Sequence, residues 1–493
     1  MGWTMERYYR FRSADRLLGR PACGDALARP GELDELTIYF ASPHELNDPL
    51  EGHRETYFEG DLIVWRNLIK HYTLLLYASV VDVYTEAGDG IIKYPNLRPE
   101  SFQGESRKVV DAALANVLSN KEIILYITSL AETPRKVSRI ELVSHLHTLH
   151  TAVLTLVLNE LSKHIDLPDA ARYNLHLHSF LRFIDLRAGK IKIEGATPNI
   201  EDYAHIATKI RQQSLRANAL RNEELSNGLL KIFINFPQHF TEQIDYLVFP
   251  HWYVACFMTS CANSSIWGSY GDNHKGICLV YKPDSERGVD ALTFRGLPFE
   301  YVKSQNQHKP RDQWFLNMPM SLPLMEVKYH SDFTAVNFFT SPHNEQPEWA
   351  DSYWYRGENG SISACAAWMT NVDDKVYQRH RDIFLKSLTT KTAHWENETE
   401  FRVLIAGLPW TREERQIKYS FHQLEGLIFG INTPDDIKIK LIKKIAEHCK
   451  ANRRSDFKFY QAKFNNSYTE IENELLEFVR FNIDGSLNWE PKI

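Results

Sequence analysis

ERYYRFRSADRLLGR (residues 6–20), followed closely by LTIYFASPHELNDPLEG (36–52), decides how this chain is organised. Residues 6–12 are aromatic and strand-like. Ser13 then stands where a helix N-cap is wanted, and a short helix is expected to end near Gly19. Residues 36–42 are β-branched and aromatic, which reads as a second strand. Asn47, Asp48, Pro49 and Gly52 are turn formers. The order is therefore strand, helix, strand, polar turn.

From about residue 60 to 245 the texture changes to long helical patterns. In 141–164, Leu142, Leu146, Leu149, Leu154, Leu158 and Leu161 fall near helical spacing. A further helix is expected over 201–232. Strand texture returns at 252–260 (WYVACFMTS) and 275–283 (KGICLVYKP), with further strands expected at 292–302, 324–340 and 396–407 and a helix around 372–390. The end reads β-α-β: LEGLIFG (424–430), a helix started by Thr433-Pro434-Asp435-Asp436, and FKFYQAKF (457–464). The expected fold class is α+β. A mixed or antiparallel sheet core is assembled from both chain ends and interrupted by a long, mostly α-helical insertion. The expected divisions are 1–59 (first part of the core), 60–245 (insertion), 246–470 (second part of the core) and 471–493 (tail).

Composition bounds the function. The 493 residues are too many for one ordinary core. Hydrophobic residues at 43% and charged residues at 24% describe a globular chain. A net charge of −6 argues against a protein coated along nucleic acid, although a local basic patch remains compatible with that total. The 6 cysteines show no paired spacing of a secreted module. The N-terminal stretch has no apolar signal region, and Glu6 stands where a myristoylation signal wants Ser or Thr. The apolar runs are too short or too interrupted to span a bilayer. A cytoplasmic protein without membrane contact is expected.

Three constellations carry chemistry. The first is WENETEFRVLI (395–405). In a strand, Glu396, Glu398, Glu400 and Arg402 share one face. A row of carboxylates suits binding a cation or ribose hydroxyls, or general acid/base work. A solvated strand face near a sheet edge gives the same pattern. The second is 256–278, where Trp267, Tyr270, His274 and Gly276 fall within ten residues. This reads as a pocket lip with His274 as donor, acceptor or base, or as an ordinary connection plugged by Trp267. Cys256, Cys261, His274 and Cys278 form a poor zinc set, because two of the cysteines lie inside strand patterns. No metal is expected there. The third is Arg10 and Arg12 on one strand face, with Ser42, Asn47, Asp48 and Glu51 nearby in sequence. Arginine supplies fixed bidentate donors for phosphate or carboxylate. The same arginines pairing with the Glu row would be purely structural. His145, His147 and His150 read as a polar helix surface. The lysines and arginines around the last helix read as a solvated face near its negative end.

Together these segments resemble a large bacterial family, domain-of-unknown-function family 2971. The resemblance rests on Phe-x-Ser-Pro-x-x-x-Asn-Asp-Pro-x-Glu (Phe40 to Glu51), Trp-x-x-Tyr-x-x-x-His-x-Gly (Trp267 to Gly276) and Trp-x-x-Glu-x-Glu-x-Arg (Trp395 to Arg402). It covers both ends of the chain and skips most of 60–245. The family name implies no activity, and its general character implies a setting in bacterial conflict or phage defence. A second resemblance is to ADP-ribosyltransferases, in the order Arg10/Arg12, Ser42, Glu398-x-Glu400. It implies NAD as substrate, with Arg10 or Arg12 holding its phosphate or ribose, Ser42 bracing the ribose and Glu400, beside Glu398, stabilising the cation-like sugar. With the other constellations added, His274 joins the catalytic groups, and Asn47, Asp48, Trp267 and Tyr270 join the cofactor site. The macromolecular target is left open. Two rivals stand beside this. One is a non-catalytic recognition module whose helical insertion meets a protein or nucleic-acid partner. The other is a metal-dependent hydrolase using Asp48, Glu398, Glu400 and His274.

Overall fold

The computed structural model describes chiefly residues 6–20, 29–85, 94–132, 135–165, 231–286, 288–300, 313–330, 334–370 and 374–488, apart from isolated positions within these spans. The chain forms two compact units. The core unit comprises Met1–His53, His251–Asp332 and Lys386–Ile493, and the helical unit comprises Arg54–Pro250 and Phe333–Leu385. The class is α+β, as expected.

The core unit is built on an eight-stranded mixed sheet. Its order is Met325–Glu326, Glu400–Gly407, His251–Met258, Tyr8–Arg12, Ile277–Tyr281, Leu424–Phe429, Lys458–Phe464 and Ile471–Leu475. The N-terminal strand thus lies in the middle of a sheet otherwise made by residues beyond 250. Its pairing is asymmetric. Tyr8–Arg12 is antiparallel to Ile277–Tyr281 along its whole length, from Tyr8 opposite Tyr281 to Arg12 opposite Ile277. Against His251–Met258 it makes only the pairing Tyr9 with Met258. The two strands then splay apart, and the candidate site opens there.

A second sheet holds Met320–Pro323, Val289–Arg295, Gln416–Tyr419 and Thr37–Tyr39. Phe40, Phe257, Leu279, Tyr281, Phe294, Ile417 and Tyr419 belong to one buried apolar cluster, which also takes Leu441, Ile445 and Cys449 from the helix Asp435–Ala451. Burying such a side chain is worth roughly 1.5–3 kcal/mol, so the two sheets anchor the strands Tyr8–Arg12 and Thr37–Tyr39. The closing β-α-β is present, with Leu424–Phe429 parallel to Lys458–Phe464. Pro434 occupies the N-cap position of its helix. Thr433, the expected cap, instead donates its hydroxyl to the Gly276 carbonyl at 2.9 Å. Residues 471–475 form the edge strand of the large sheet, so the expected separate tail is part of the core unit.

Gly276 is required by close approach. A Cβ there would lie 2.6 Å from the Arg12 carbonyl oxygen and 2.8 Å from Gly271 backbone. Gly276→Ala is expected to destabilise the core unit by about 1–3 kcal/mol through overpacking, read as a lowered urea midpoint. A midpoint equal to wild type would refute the close-packing reading.

The helical unit contains Leu62–Tyr84, Gly104–Ser119, Lys121–Glu132, Arg139–Leu161 and Phe236–Gln243 among its described helices. A small sheet orders Ala335–Asn337, Glu55–Phe58 and Val137–Ser138. The expected insertion limits of 60–245 are therefore corrected, because residues 333–385 also belong to this unit. The reason is aromatic packing: Phe338 and Phe339 meet Phe58, and Trp354 meets His71. The expected helix over 201–232 lies almost wholly outside the described residues. His145, His147 and His150 are buried, not a polar surface. His145 pairs with the Tyr126 hydroxyl at 2.7 Å and His150 with the Tyr72 hydroxyl at 2.7 Å. Arg139–Leu161 is also the one described helix long and apolar enough to cross a membrane, and 72% of its apolar window is buried inside the protein.

Candidate functional site

A cleft of about 570 Å³ opens in the core unit where Tyr8–Arg12 and His251–Met258 diverge. That volume lies within the usual range of small-molecule sites, about 300–1,000 Å³. Its two walls carry opposite charge.

The acidic wall is a buried ion network. Glu398 closes a 3₁₀ turn, Ala393–Glu398. Thr399 turns the backbone through the left-handed region at φ 43°, and the strand begins only at Glu400. The expected four-residue row is thereby corrected, because Glu396 lies on the exposed turn and takes no part. Glu398, Glu400 and Arg402 are buried, and Glu51 joins them from the turn after Pro49. Lys391 Nζ sits 2.6 Å from Glu398, 3.0 Å from Glu51 and 3.3 Å from Glu400. Arg402 donates Nε to Glu400 at 2.8 Å, one terminal nitrogen to Glu51, and the other to the Leu388 carbonyl at 2.6 Å. Tyr270 donates its hydroxyl to Glu398. The Tyr329 hydroxyl accepts the Glu400 backbone N–H at 2.7 Å.

Three carboxylates against two cations leave one formal negative charge when all are ionised. Burial pushes Glu51 above the ordinary carboxylate range, with Glu400 adding to the effect and Arg402 and Lys391 opposing it. Burial also acts to raise Glu400, but Arg402 and Lys391 outweigh it and hold that carboxyl at about 2. Both carboxylates share the same two cations, so a proton entering the cluster goes first to Glu51. Burial alone would lower Lys391, yet Glu400, Glu51 and Glu398 raise it, which keeps it an ammonium at neutral pH.

The basic wall begins with Arg10, only 5% exposed. It donates to the Cys256 carbonyl at 2.9 Å and the Tyr39 carbonyl at 3.0 Å, groups close to where the strands splay. Its Nε is buried without an acceptor, and among the described residues no carboxylate pairs with it. Arg12 pairs with Glu32 at 3.0 Å. The expectation that both arginines neutralise the Glu row is therefore not met. Arg12, Arg16 and Arg412 continue this wall towards the rim. Cys256 joins the two walls, since its carbonyl holds Arg10 and its thiol lies against Glu400.

Of the expected site residues, the structure brings Arg10, Arg12, Asn47, Tyr270, Glu398 and Glu400 to this cleft. Four others serve local structure. Ser42 caps the turn Pro43–Glu45, bonding Glu45 through its N–H at 2.9 Å and its hydroxyl at 3.0 Å. Asp48 accepts the Leu50 N–H at 2.9 Å, as a turn-forming aspartate does. Trp267 is fully buried, bonds the Cys261 carbonyl at 2.8 Å and packs on Phe11. His274 lies in a left-handed run, Asp272, Asn273, His274, and its carbonyl holds the Asn432 N–H at 2.9 Å. The hydrolase set of Asp48, Glu398, Glu400 and His274 is therefore not assembled, since Asp48 and His274 do not line the cleft. Among the described residues no group of three or more His, Cys, Asp or Glu is arranged to hold a metal ion. Lys391 was missed from sequence. Its signal was the need of three close carboxylates for a cation, with Lys391 the nearest lysine before Glu398.

No family model, curated protein or solved structure matches this chain.

Proposed function

We propose that this cleft binds NAD and cleaves its nicotinamide–ribose bond, passing the ADP-ribosyl group to an acceptor or to water. The observation that carries the reading is the bipolar cleft, whose lining includes both Arg10 and the carboxylates Glu398 and Glu400. NAD is bipolar in the same sense. Its diphosphate is anionic, and the bond to be cleaved joins a cationic nicotinamide to the sugar. Arg10, with a free buried Nε–H, suits the diphosphate. Glu398 and Glu400 suit the positive charge that grows on the sugar as the C–N bond breaks. The departing nicotinamide keeps the bonding pair. The acceptor attacks the sugar carbon, and its proton leaves to the carboxylate wall or to solvent. Tyr270 and Lys391 each hold one oxygen of Glu398, which fixes the carboxylate in advance of the reaction.

The test is nicotinamide release from labelled NAD, with and without candidate acceptors. Glu398→Gln and Glu400→Gln are each expected to lower release about 100-fold or more, the usual scale for losing such electrostatic stabilisation. Release by the wild type that neither substitution affects would defeat the assignment of the wall. No release under any acceptor condition would defeat the reaction.

A further inference from the structure

We infer that the arginine face at the rim of the cleft is a docking surface for single-stranded nucleic acid, which makes a nucleic acid the acceptor presented to the cleft. The acceptor role rests on the proposed ADP-ribosyl chemistry, whereas the docking surface does not. Arg12, Arg16 and Arg412 line the cleft. Arg16 and Arg412 also line an adjoining depression with Arg29, Glu32, Tyr39 and Gln416. Desolvation, and after it repulsion from Arg12, Arg29 and Arg412, lowers the Arg16 pKa despite Glu32. Glu32 is already paired with Arg12. Among the described residues no carboxylate pairs with Arg16, Arg29 or Arg412. Concentrated positive charge on a chain of net charge −6 calls for a polyanion.

Two further observations narrow the class. The unsatisfied Arg10 Nε, buried in the cleft beside this face, extends the run of phosphate donors inward. The face also continues past the cleft into the second depression, where Arg29 lies outside the cleft lining. A polymer whose backbone crosses the rim while one unit enters the cleft satisfies both. A single strand is favoured because a unit must leave any stack to reach a buried carboxylate. Tyr9 and Tyr270 line the cleft as aromatic surfaces for such a unit.

The experiment is fluorescence-anisotropy titration of the full chain with a labelled 12-nucleotide single strand, without NAD, across a salt series. Wild type is expected to bind. Arg16→Glu with Arg412→Glu is expected to weaken binding at least tenfold at low salt and to reduce the log–log salt slope by about 1.4, from two lost phosphate contacts at about 0.7 each. Arg29→Gln, a milder change at an exposed position, is expected to weaken binding about threefold with an unchanged unfolding midpoint. Absence of binding by wild type, or equal affinity of the charge-reversed variant, overturns the inference. Equal displacement by polyglutamate at matched charge also overturns it, because the face is then a general anion surface suited to an acidic protein. Loss of NAD cleavage alone leaves these outcomes untouched, so the two readings fail separately.

Discussion

Replacing Arg402 by methionine is expected to destabilise the core unit by about 3–5 kcal/mol, the usual cost of removing one partner from a buried ion pair. Arg402 is 0% exposed and contacts Glu400, Glu51 and the Leu388 carbonyl. Without it, three buried carboxylates share Lys391 alone, and an unpaired carbonyl remains. Methionine fills much of the volume, so the loss measures charge more than cavity. Two controls separate this from general damage. Lowering the pH from 7 to 5 should narrow the gap between variant and wild type, because a proton on Glu51 relieves the repulsion. Adding Glu51→Gln to the variant should recover part of the loss for the same reason. Guanidinium unfolding followed by tryptophan fluorescence measures all three proteins. A gap that stays constant with pH and ignores Glu51→Gln would show that Arg402 acts by packing alone.

That network also shows where sequence reading stops. The strands at 251–258, 277–281 and 424–429 are legible because apolar residues, many of them β-branched or aromatic, dominate each short run. Strand alternation does not extend back through Glu396, because the strand begins only at Glu400. Nothing in TAHWENETE announces the 3₁₀ turn or the left-handed Thr399. Arg10 and Glu400 were legible as complementary chemistry, and the pairing of the two chain ends puts them in one place. Lys391 and Glu51 were harder, since each earns its role only through partners distant in sequence. His274 and Trp267 misled for a physical reason. A tight connection needs a packing plug and left-handed residues, which gives it the same composition as a pocket lip. Residues 333–385 were assigned to the wrong unit because an aromatic-rich run packs equally well on helices or sheets, and only long-range contacts decide.

Acidification is expected to cost the helical unit about 5 kcal/mol between pH 6.5 and 4.5. His71 and His343 are both buried, and burial is the main cause that lowers each to about 3. His71 is satisfied as a neutral ring by the Tyr353 hydroxyl at 3.1 Å and the Pro95 carbonyl at 2.8 Å. His343 sits against the rings of Phe338, Trp354, Tyr355 and Trp368, and its Nδ1 has no acceptor. In the unfolded chain each histidine titrates near 6.5. Below that pH the unfolded state binds a proton at each ring and the folded state does not, so stability falls as pH falls. The slope is about 1.4 kcal/mol per pH unit for each histidine until the folded pKa is reached. Glu141 is held at about 2; burial opposes this, but His145 and Arg135 outweigh it, so its stabilisation is lost only below the ordinary range near 4.5. The loss above pH 4.5 therefore belongs to the histidines. Since domains of this kind are stable by only about 5–15 kcal/mol, unfolding should be visible by pH 4.5. Denaturant midpoints across pH 7.5 to 4.5 provide the measurement. His343→Phe, which keeps the aromatic packing, should remove one histidine's share of the slope, about 1.4 kcal/mol per pH unit. An unchanged slope in that variant would place the acid sensitivity elsewhere.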